Sequence, residues 1–279
     1  PVTGTTYVDG GGAHYAAQAA ACLGFQVALV TRLAKADEYV VEKVQQSGVD
    51  CWVDYSASST LMQLEYPTTN PDIRTLTVRA VADPISVTSV DGIQAKSAVI
   101  GSSIRGEVGM DVIQALKQKR MMVAADMQGF VRVLRGQELK YEHWGEMRSI
   151  LAAVDVVKSD AVEAEFLTGE TDIYQAAKFY AALGPGEIVL THKDGVLVYA
   201  QGEFHNLGFY PVRLDGRSGR GDTCIGTYMA MRLRKPPLEA GIWAAAVTSL
   251  KMEKLGPFNR SLEEVEEFIQ AHYNHGSHN

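Results

Sequence analysis

The residues with the clearest potential for chemistry lie in the last third of the chain, where two glycines and an aspartate precede a helical pattern. They are Gly219, Arg220, Gly221 and Asp222, and apolar residues recur after them at helical spacing. A glycine-rich turn that opens into a helix presents free backbone N–H groups and the positive end of the helix dipole, which both attract anions. A carboxylate beside a bound phosphate is useful if it accepts the proton of a hydroxyl that attacks phosphorus. The segment therefore predicts phosphoryl transfer. One alternative stays open, since aspartate is a common N-cap residue and Asp222 could serve only as a cap.

Other candidate residues have structural as well as functional interpretations. Glu163 could be a solvated charge on a helix face, and Arg132 could pair with a nearby carboxylate. Tyr15 falls in an alanine-rich helical pattern and could belong to the core. The three glycines at 10–12 come directly before that pattern, where a backbone without side chains suits close approach of a ligand.

Four segments, taken in order, resemble those of the ribokinase-like (PfkB-type) carbohydrate kinase family. They are GGGAHYAAQAAACLG at 10–24, AADMQGFVR at 124–132, KSDAVEAEFLTG at 158–169 and SGRGD at 218–222. In the family these places hold a glycine pair before a substrate-contacting helix, a D-x-N or D-x-Q strand end, K-x-N-x-x-E-x-x-x-L-x-G, and T-G-A-G-D. The resemblance extends from Gly10 to about Phe268, and the ordered set is more specific than any one segment.

The resemblance implies a role for each matching residue. Asp222 becomes the general base. The anion hole falls to Gly219, Arg220 and Gly221. The donor side falls to Asp160, Glu163, Thr191 and Gly195, with Glu163 organising Mg²⁺ through water. The acceptor side falls to Gly10, Gly11, Tyr15 and Arg132.

The chain also departs from the family pattern. Tyr15 and Asp160 stand where asparagine is usual, Gly216 where an aspartate is usual, and Arg220 where a small residue is usual. Since Arg220 lies between two glycines, we expect its side chain to reach solvent or the phosphate path. Only nine residues precede Gly10, too few for the family's first strand with its acceptor-binding aspartate, so we expect that the natural chain starts further upstream. These departures leave the identity of the acceptor open.

Short apolar strand patterns alternate with helical patterns, which is typical of a mostly parallel sheet covered on both faces. We therefore expect an α/β fold of the three-layer, Rossmann-like ribokinase type, as a single domain over residues 1–279. Two half-polar β-rich segments, 51–66 and 73–81, are joined by the turn sequence PTTNPD. They predict a small antiparallel β lid at about 51–81. Because an apolar lid face needs a cover, we also expect a homodimer formed through the lid.

Composition narrows the class of protein. The net charge is −7, which disfavours binding to nucleic acid or to an anionic membrane surface. No apolar run is long enough to span a bilayer. The three cysteines are far apart and form no C-x-x-C pair, so we expect reduced thiols in a cytoplasmic protein.

Together these features predict an enzyme that moves a phosphoryl group from ATP, with Mg²⁺, to a hydroxyl of a small polyhydroxylated acceptor. The expected acceptor is a sugar or an inositol-like polyol, because the D-x-Q-G-F-x-R segment looks closer to inositol-kinase-like members than to ribokinase. Two alternatives stay open: a kinase of a nucleoside or a vitamin-like hydroxymethyl heterocycle, and a catalytically silent ligand-binding member. A requirement for a monovalent cation also stays open.

Overall fold

The middle layer of the protein is a six-stranded sheet, in a computed structural model that describes residues 8–65 and 75–273. In spatial order its strands are β12 (Glu203–Gly208), β11 (Gly195–Ala200), β10 (Glu187–His192), β9 (Val156–Asp160), β6 (Met122–Asp126) and β5 (Ser97–Ile100). The strands from β10 to β5 run parallel, and β11 and β12 extend the sheet in antiparallel fashion. Val156, Val157 and Ile188 are fully buried, as expected for apolar strands covered on both faces.

Helices form the two outer layers. They are α1 (Gly12–Cys22), α2 (Glu38–Gln46), α3 (Val87–Val90), α4 (Met110–Gln118), α5 (Gln128–Val131), α6 (Met147–Ala153), α7 (Ala161–Thr168), α8 (Ile173–Ala181), α9 (Arg220–Arg232), α10 (Pro237–Met252) and α11 (Leu262–Tyr273). Buried side chains of α4, α6, α7 and α8 pack on one face of the sheet, and those of α1, α9, α10 and α11 pack on the other. The predicted three-layer α/β fold is confirmed.

The carboxyl-terminal part is helical. Pro236 and Pro237 separate α9 from α10, and Pro237 is the first residue of α10, where its missing N–H breaks no helical hydrogen bond. The longest helix of the described ranges is α10, with 16 residues. No helix within 8–65 or 75–273 combines the length and the apolar character needed to cross a membrane.

Two smaller sheets accompany the central one. Strands β1 (Val27–Ala34) and β2 (Val49–Ser56) pair in parallel. An antiparallel sheet has the order β3 (Leu61–Glu65), β4 (Thr75–Ala80), β8 (Glu138–Tyr141) and β7 (Arg132–Arg135). We call this four-stranded sheet the lid.

The predicted bounds of the lid need a correction. Residues 51–56 are not part of the antiparallel sheet; they belong to β2, which pairs with β1 and whose Val49 and Cys51 pack with Leu29 and Val44. Half of the lid instead comes from β7 and β8, a hairpin that the sequence patterns did not predict. The predicted turn at 67–72 and the start of the second lid segment at 73 lie outside the described residues, as do residues 1–7.

Candidate active site

Asp222 lies in the first turn of α9. The N-cap of this helix is Gly219, which has a left-handed backbone with φ 76°, and Arg220 is the first helical residue. Asp222 is therefore the third residue of the helix and does not occupy the cap position. The interpretation of Asp222 as an N-cap is wrong, and its carboxyl group is left for another task.

The two glycines of the turn are required by their neighbours. A Cβ on Gly219 would overlap the ring of Tyr15, and one on Gly221 would overlap the end of the Lys158 side chain. The left-handed φ of Gly219 adds a second reason, because side-chain-bearing residues rarely adopt it. The turn thus approaches an aromatic ring on one side and a lysine on the other.

The first turn of α1 reaches the same carboxylate. A Cβ added to Gly12 would lie 2.5 Å from Oδ1 of Asp222 and 2.7 Å from the carbonyl oxygen of Gly101. Gly101 directly follows β5, and a Cβ there would lie 3.0 Å from the backbone nitrogen of Ala13. The N-termini of α1 and α9 therefore converge on Asp222, and the strand end of β5 closes the junction.

A buried ion pair lies beneath this junction. Asp126 and Lys158 are register partners on β6 and β9, and Nζ of Lys158 donates to both carboxylate oxygens of Asp126, at 3.0 and 3.2 Å. Asp126 is 1% exposed and Lys158 is 4% exposed. Burial acts to lower the pKa of Lys158, but the negative charges of Asp126, Glu163 and Asp222 outweigh it and raise that pKa. The site therefore holds a permanent cation next to Gly221.

Glu163 and Asp160 form a capping box at the start of α7. The Asp160 side chain accepts a hydrogen bond from the Glu163 amide at 2.8 Å, and the Asp160 amide donates to Oε2 of Glu163 at 3.1 Å. The other oxygen of Glu163 pairs with Arg132 at 3.2 Å. Glu163 is buried, so the interpretation as a solvated surface charge is wrong. Both of its oxygens already have partners within the chain.

The charges around Asp222 alter its acidity. Burial raises the pKa of Asp222 to about 6, and the nearby negative charge of Asp126 acts in the same direction. Lys158 and Arg132 oppose the rise in this pKa. A carboxyl group with such a pKa is ionised at pH 7 and is a better proton acceptor than an ordinary aspartate.

Several predicted donor-side residues lie near one another at the carboxyl end of β9 and β10. Thr191 is buried and is the register partner of Asp160. Arg220 is half-buried, and the charge of Asp160 attracts its guanidinium, although burial lowers the pKa of Arg220 overall. Gly195 has a packing requirement, since a Cβ there would overlap the carbonyl of Leu207 on β12.

The predicted acceptor-side residues divide into two groups. Arg132 joins the charged network through Glu163. Tyr15 is buried against the turn that precedes α9, and Gly10 lies beside its ring. Gly11 is the N-cap of α1 with φ 103°. Tyr15 thus contacts the turn before α9 directly.

Sequence reasoning gave no role to several residues that the fold brings to this site. Asp126 and Lys158 stood inside quoted segments, at the ends of predicted strands, so their position offered a usable signal. Gly101 lies beside Gly12 and Ala13 because α1 packs on β5; Gly12 was considered only for close approach of a ligand, and its contact with Asp222 comes from the packing of α1 on α9. Lys251, in the last turn of α10, carried no sequence signal at all.

No group of three or more His, Cys, Asp or Glu side chains within the described ranges could hold a metal ion. The carboxylates of Asp160 and Glu163, at the start of α7, already accept hydrogen bonds from each other's backbone N–H groups. A metal ion that binds beside α7 would need ligands from a substrate or from water.

The sequence matches the model of the pfkB family of carbohydrate kinases over residues 2–264. A pyrophosphate-dependent kinase of the ribokinase family, solved with a pyrophosphate analog and myo-inositol, is 30% identical; the match covers 95% of this chain and 94% of that one, with a TM-score of 0.86. A pyrophosphate-dependent myo-inositol-1 kinase converted to a myo-inositol-3 kinase is 31% identical over 95% of this chain and 91% of that one, with a TM-score of 0.85. A cytidine kinase from Thermococcus kodakarensis is 29% identical over 141 residues, which is 50% of this chain and about half (48%) of that relative.

Proposed function

The chain belongs to the pfkB family of carbohydrate kinases, and from that premise we propose that it phosphorylates a hydroxyl of an inositol-like polyol, with Asp222 as the base. The observation that supports this most strongly is the environment of Asp222. This residue is not the N-cap of α9, its pKa is raised, and it lies where the N-termini of α1 and α9 converge. A catalytically silent binder would have no need of a carboxylate beside an anion site.

In the proposed reaction Asp222 and the turn before α9 have separate roles. The acceptor hydroxyl gives its proton to Asp222 while its oxygen attacks the terminal phosphorus of the donor, and the bond from that phosphorus to the leaving phosphate oxygen breaks. Backbone N–H groups of Gly219 to Gly221, with Lys158 behind them, stabilise the negative charge on the transferred group. Because these donors are fixed by packing, little reorganisation is needed during transfer.

Magnesium fits this site as an ion carried by the donor phosphates. Glu163 has both oxygens engaged, so it would act on Mg²⁺ through water, as the family resemblance implies. Mg²⁺ commonly keeps several waters and binds through substrate phosphates with few protein carboxylates. When bound, it supplies neutralisation of phosphate charge.

The acceptor is proposed from the similar proteins and from one segment of the chain. The relatives of at least 30% identity include proteins solved with, or named for, myo-inositol. The D-x-Q-G-F-x-R segment at 126–132 already favoured an inositol-like acceptor. A nucleoside acceptor is the competing candidate, since the cytidine kinase matches half of the chain.

The donor has two candidates. ATP is what the family resemblance implies. Pyrophosphate is favoured by Arg220, whose guanidinium lies in the field of Asp160 and close enough to Arg217 for their charges to interact. Pyrophosphate offers only phosphate oxygens for recognition, and guanidinium groups bind these with two parallel hydrogen bonds. The relatives of at least 30% identity described above are also pyrophosphate-dependent.

A donor-by-acceptor matrix tests the proposal. The protein is assayed with Mg²⁺ and either ATP or pyrophosphate against myo-inositol, ribose, cytidine and a hydroxymethylpyrimidine, with product detected by ³¹P NMR. We expect the highest kcat/KM with myo-inositol or a close stereoisomer. Highest kcat/KM with cytidine would replace the polyol acceptor, and no transfer in any combination would contradict the proposed function.

A further inference from the structure

Lys251 is a buried cation next to the turn that precedes α9. It lies in the last turn of α10 and is 2% exposed. Its ammonium donates to the carbonyl oxygen of Gly216 at 2.6 Å and also to the carbonyl oxygen of Ser218. Both carbonyls belong to the loop that leads into Gly219.

The other surroundings of this ammonium are equally unusual. Nζ lies 5.2 Å from the centre of the Tyr15 ring, whose face attracts cations. Across the described residues, Lys251 has no carboxylate within ion-pair distance, and Asp222 acts on it only through its longer-range field. Two carbonyl dipoles and an aromatic face therefore hold the charge, and backbone carbonyls are also what binds a dehydrated monovalent cation.

A purely structural explanation accounts poorly for this choice of residue. Burying an ammonium is costly, and an apolar side chain would fill the space in α10 without that cost. Burial lowers the pKa of Lys251 to about 8, so the charged form still predominates at neutral pH. The positive charge of Lys251 therefore lies in contact with the 216–218 loop and with the ring of Tyr15.

The orientation of the loop explains what the charge achieves. In a planar trans peptide the carbonyl and the following N–H point in opposite directions. With the Ser218 carbonyl turned towards Lys251, the N–H of Gly219 points away from α10. The ammonium thus fixes the direction of a backbone donor at the entrance of the anion hole.

We propose that Lys251 is a built-in monovalent cation: it orients the 216–218 loop as a bound K⁺ or NH₄⁺ would, and makes the enzyme independent of added monovalent cations. Lys251 is a positioning residue, since it acts through the loop. The catalytic part of this inference rests on the proposed kinase function, whereas the cation site itself does not.

The kinetic test compares two variants at constant ionic strength in N-methylglucamine, K⁺ and NH₄⁺ chlorides. Wild-type kcat should be the same in all three. Lys251→Ala opens a space between the carbonyls, so its kcat should fall at least tenfold in N-methylglucamine and recover several-fold in K⁺ or NH₄⁺. Lys251→Met fills the space, so its kcat should fall without recovery, and Lys254→Ala, which removes an exposed lysine nearby, should behave as wild type.

Thermal unfolding in the same salts provides a readout that needs no activity. K⁺ or NH₄⁺ should raise the Tm of Lys251→Ala relative to N-methylglucamine, and should leave the Tm of wild type and of Lys251→Met unchanged. If wild type transfers no phosphate under any condition, the proposed function fails, and the unfolding data still decide the cation site.

Three results would overturn the inference. They are full activity of Lys251→Ala without monovalent cation, absence of any K⁺ or NH₄⁺ effect on both its kcat and its Tm, and strong activation of wild type by K⁺. If Lys251→Ala does not fold, Lys251→Gln takes its place, because it keeps an N–H donor and loses the charge. That variant should lose at least tenfold in kcat, and wild-type activity in it would also contradict the inference.

Discussion

Asp222 has the environment of a proton acceptor that works near neutral pH. Its pKa of about 6 comes first from burial and then from Asp126, with Lys158 in opposition. Since the folded-state pKa lies above the unfolded value, the protonated form stabilises the fold, and this contribution is lost as pH rises through about 6. Activity should change in the opposite sense, because only the ionised form can accept a proton.

We therefore predict that kcat/KM rises as pH increases through about 6 and then levels off. The measurement is kcat/KM for the acceptor at saturating donor, from pH 5 to 7.5. Asp222→Asn should lose this pH dependence along with most of the activity. A wild-type profile that stays flat down to pH 5 would contradict the assignment of the base.

The side chain of Arg220 gives a prediction about the phosphoryl donor. Its position before Gly221, in the field of Asp160, places a cation beside the expected phosphate path. Arg220→Ala recreates the usual family sequence and should fold normally. We predict a loss of about tenfold in kcat and kcat/KM with little change in acceptor KM, and a larger loss with pyrophosphate than with ATP. Arg234→Ala, which removes an exposed arginine two residues beyond the end of α9, is the matched control. Unchanged kinetics would show that Arg220 has no part in transfer.

At the scale of elements, the junction of α1, β5 and α9 determines where Asp222 sits. α1 packs on α9 so closely that a Cβ on Gly226 would lie 2.5 Å from the backbone of Ala16. Gly12 occupies the end of that contact, against Asp222.

Gly12→Ala should disturb this junction. The added methyl group would meet the Asp222 carboxylate and the Gly101 carbonyl, so either the helix or the base must move. We predict a loss of about 10²-fold in kcat/KM. We also predict that the free energy of unfolding, measured with urea, falls by about 1–3 kcal/mol. Gly145→Ala, at an exposed glycine with open space around its Cα, should leave both quantities unchanged. Equal behaviour of the two variants would contradict the proposed junction.

Which elements the sequence could predict depends on how local their signals are. Strands β6 and β10 contain short apolar runs, and the turn before α9 carries its own glycines, so both were predictable. The parallel pairing of β1 with β2 was not, because pairing joins residues such as Leu29 and Cys51 that are distant in sequence. The strands of the β7–β8 hairpin have only four residues each, too few for a clear strand pattern. The position of Lys251 beside the turn before α9 could not be predicted, because it comes from contacts between elements that are distant in sequence.

At the scale of the whole molecule, the lid and the adjacent β2 expose large apolar side chains. Trp52, Tyr55, Leu61 and Leu64 are each at least 39% exposed. Exposed apolar side chains are common at protein interfaces, and we propose a homodimer formed through the lid.

Light scattering after size exclusion tests this assembly. We predict twice the mass of one chain at micromolar concentration, and a monomer for Leu64→Glu, which places a charge in the lid face. Leu238→Glu, a similar change at an exposed leucine of α10, should remain dimeric. A wild-type monomer at high micromolar concentration would refute the dimer.

The central claim is that Asp222 removes the proton from an acceptor hydroxyl during phosphoryl transfer. Its most direct test is the steady-state kinetics of Asp222→Asn with the donor and acceptor that the wild type prefers. The asparagine keeps the size of the side chain and cannot accept the proton, so kcat should fall by about 10²–10⁴-fold while the KM of the donor stays close to that of wild type. Its stability at pH 7 should not fall, because the buried charge is removed. Turnover close to wild type in Asp222→Asn would contradict the claim.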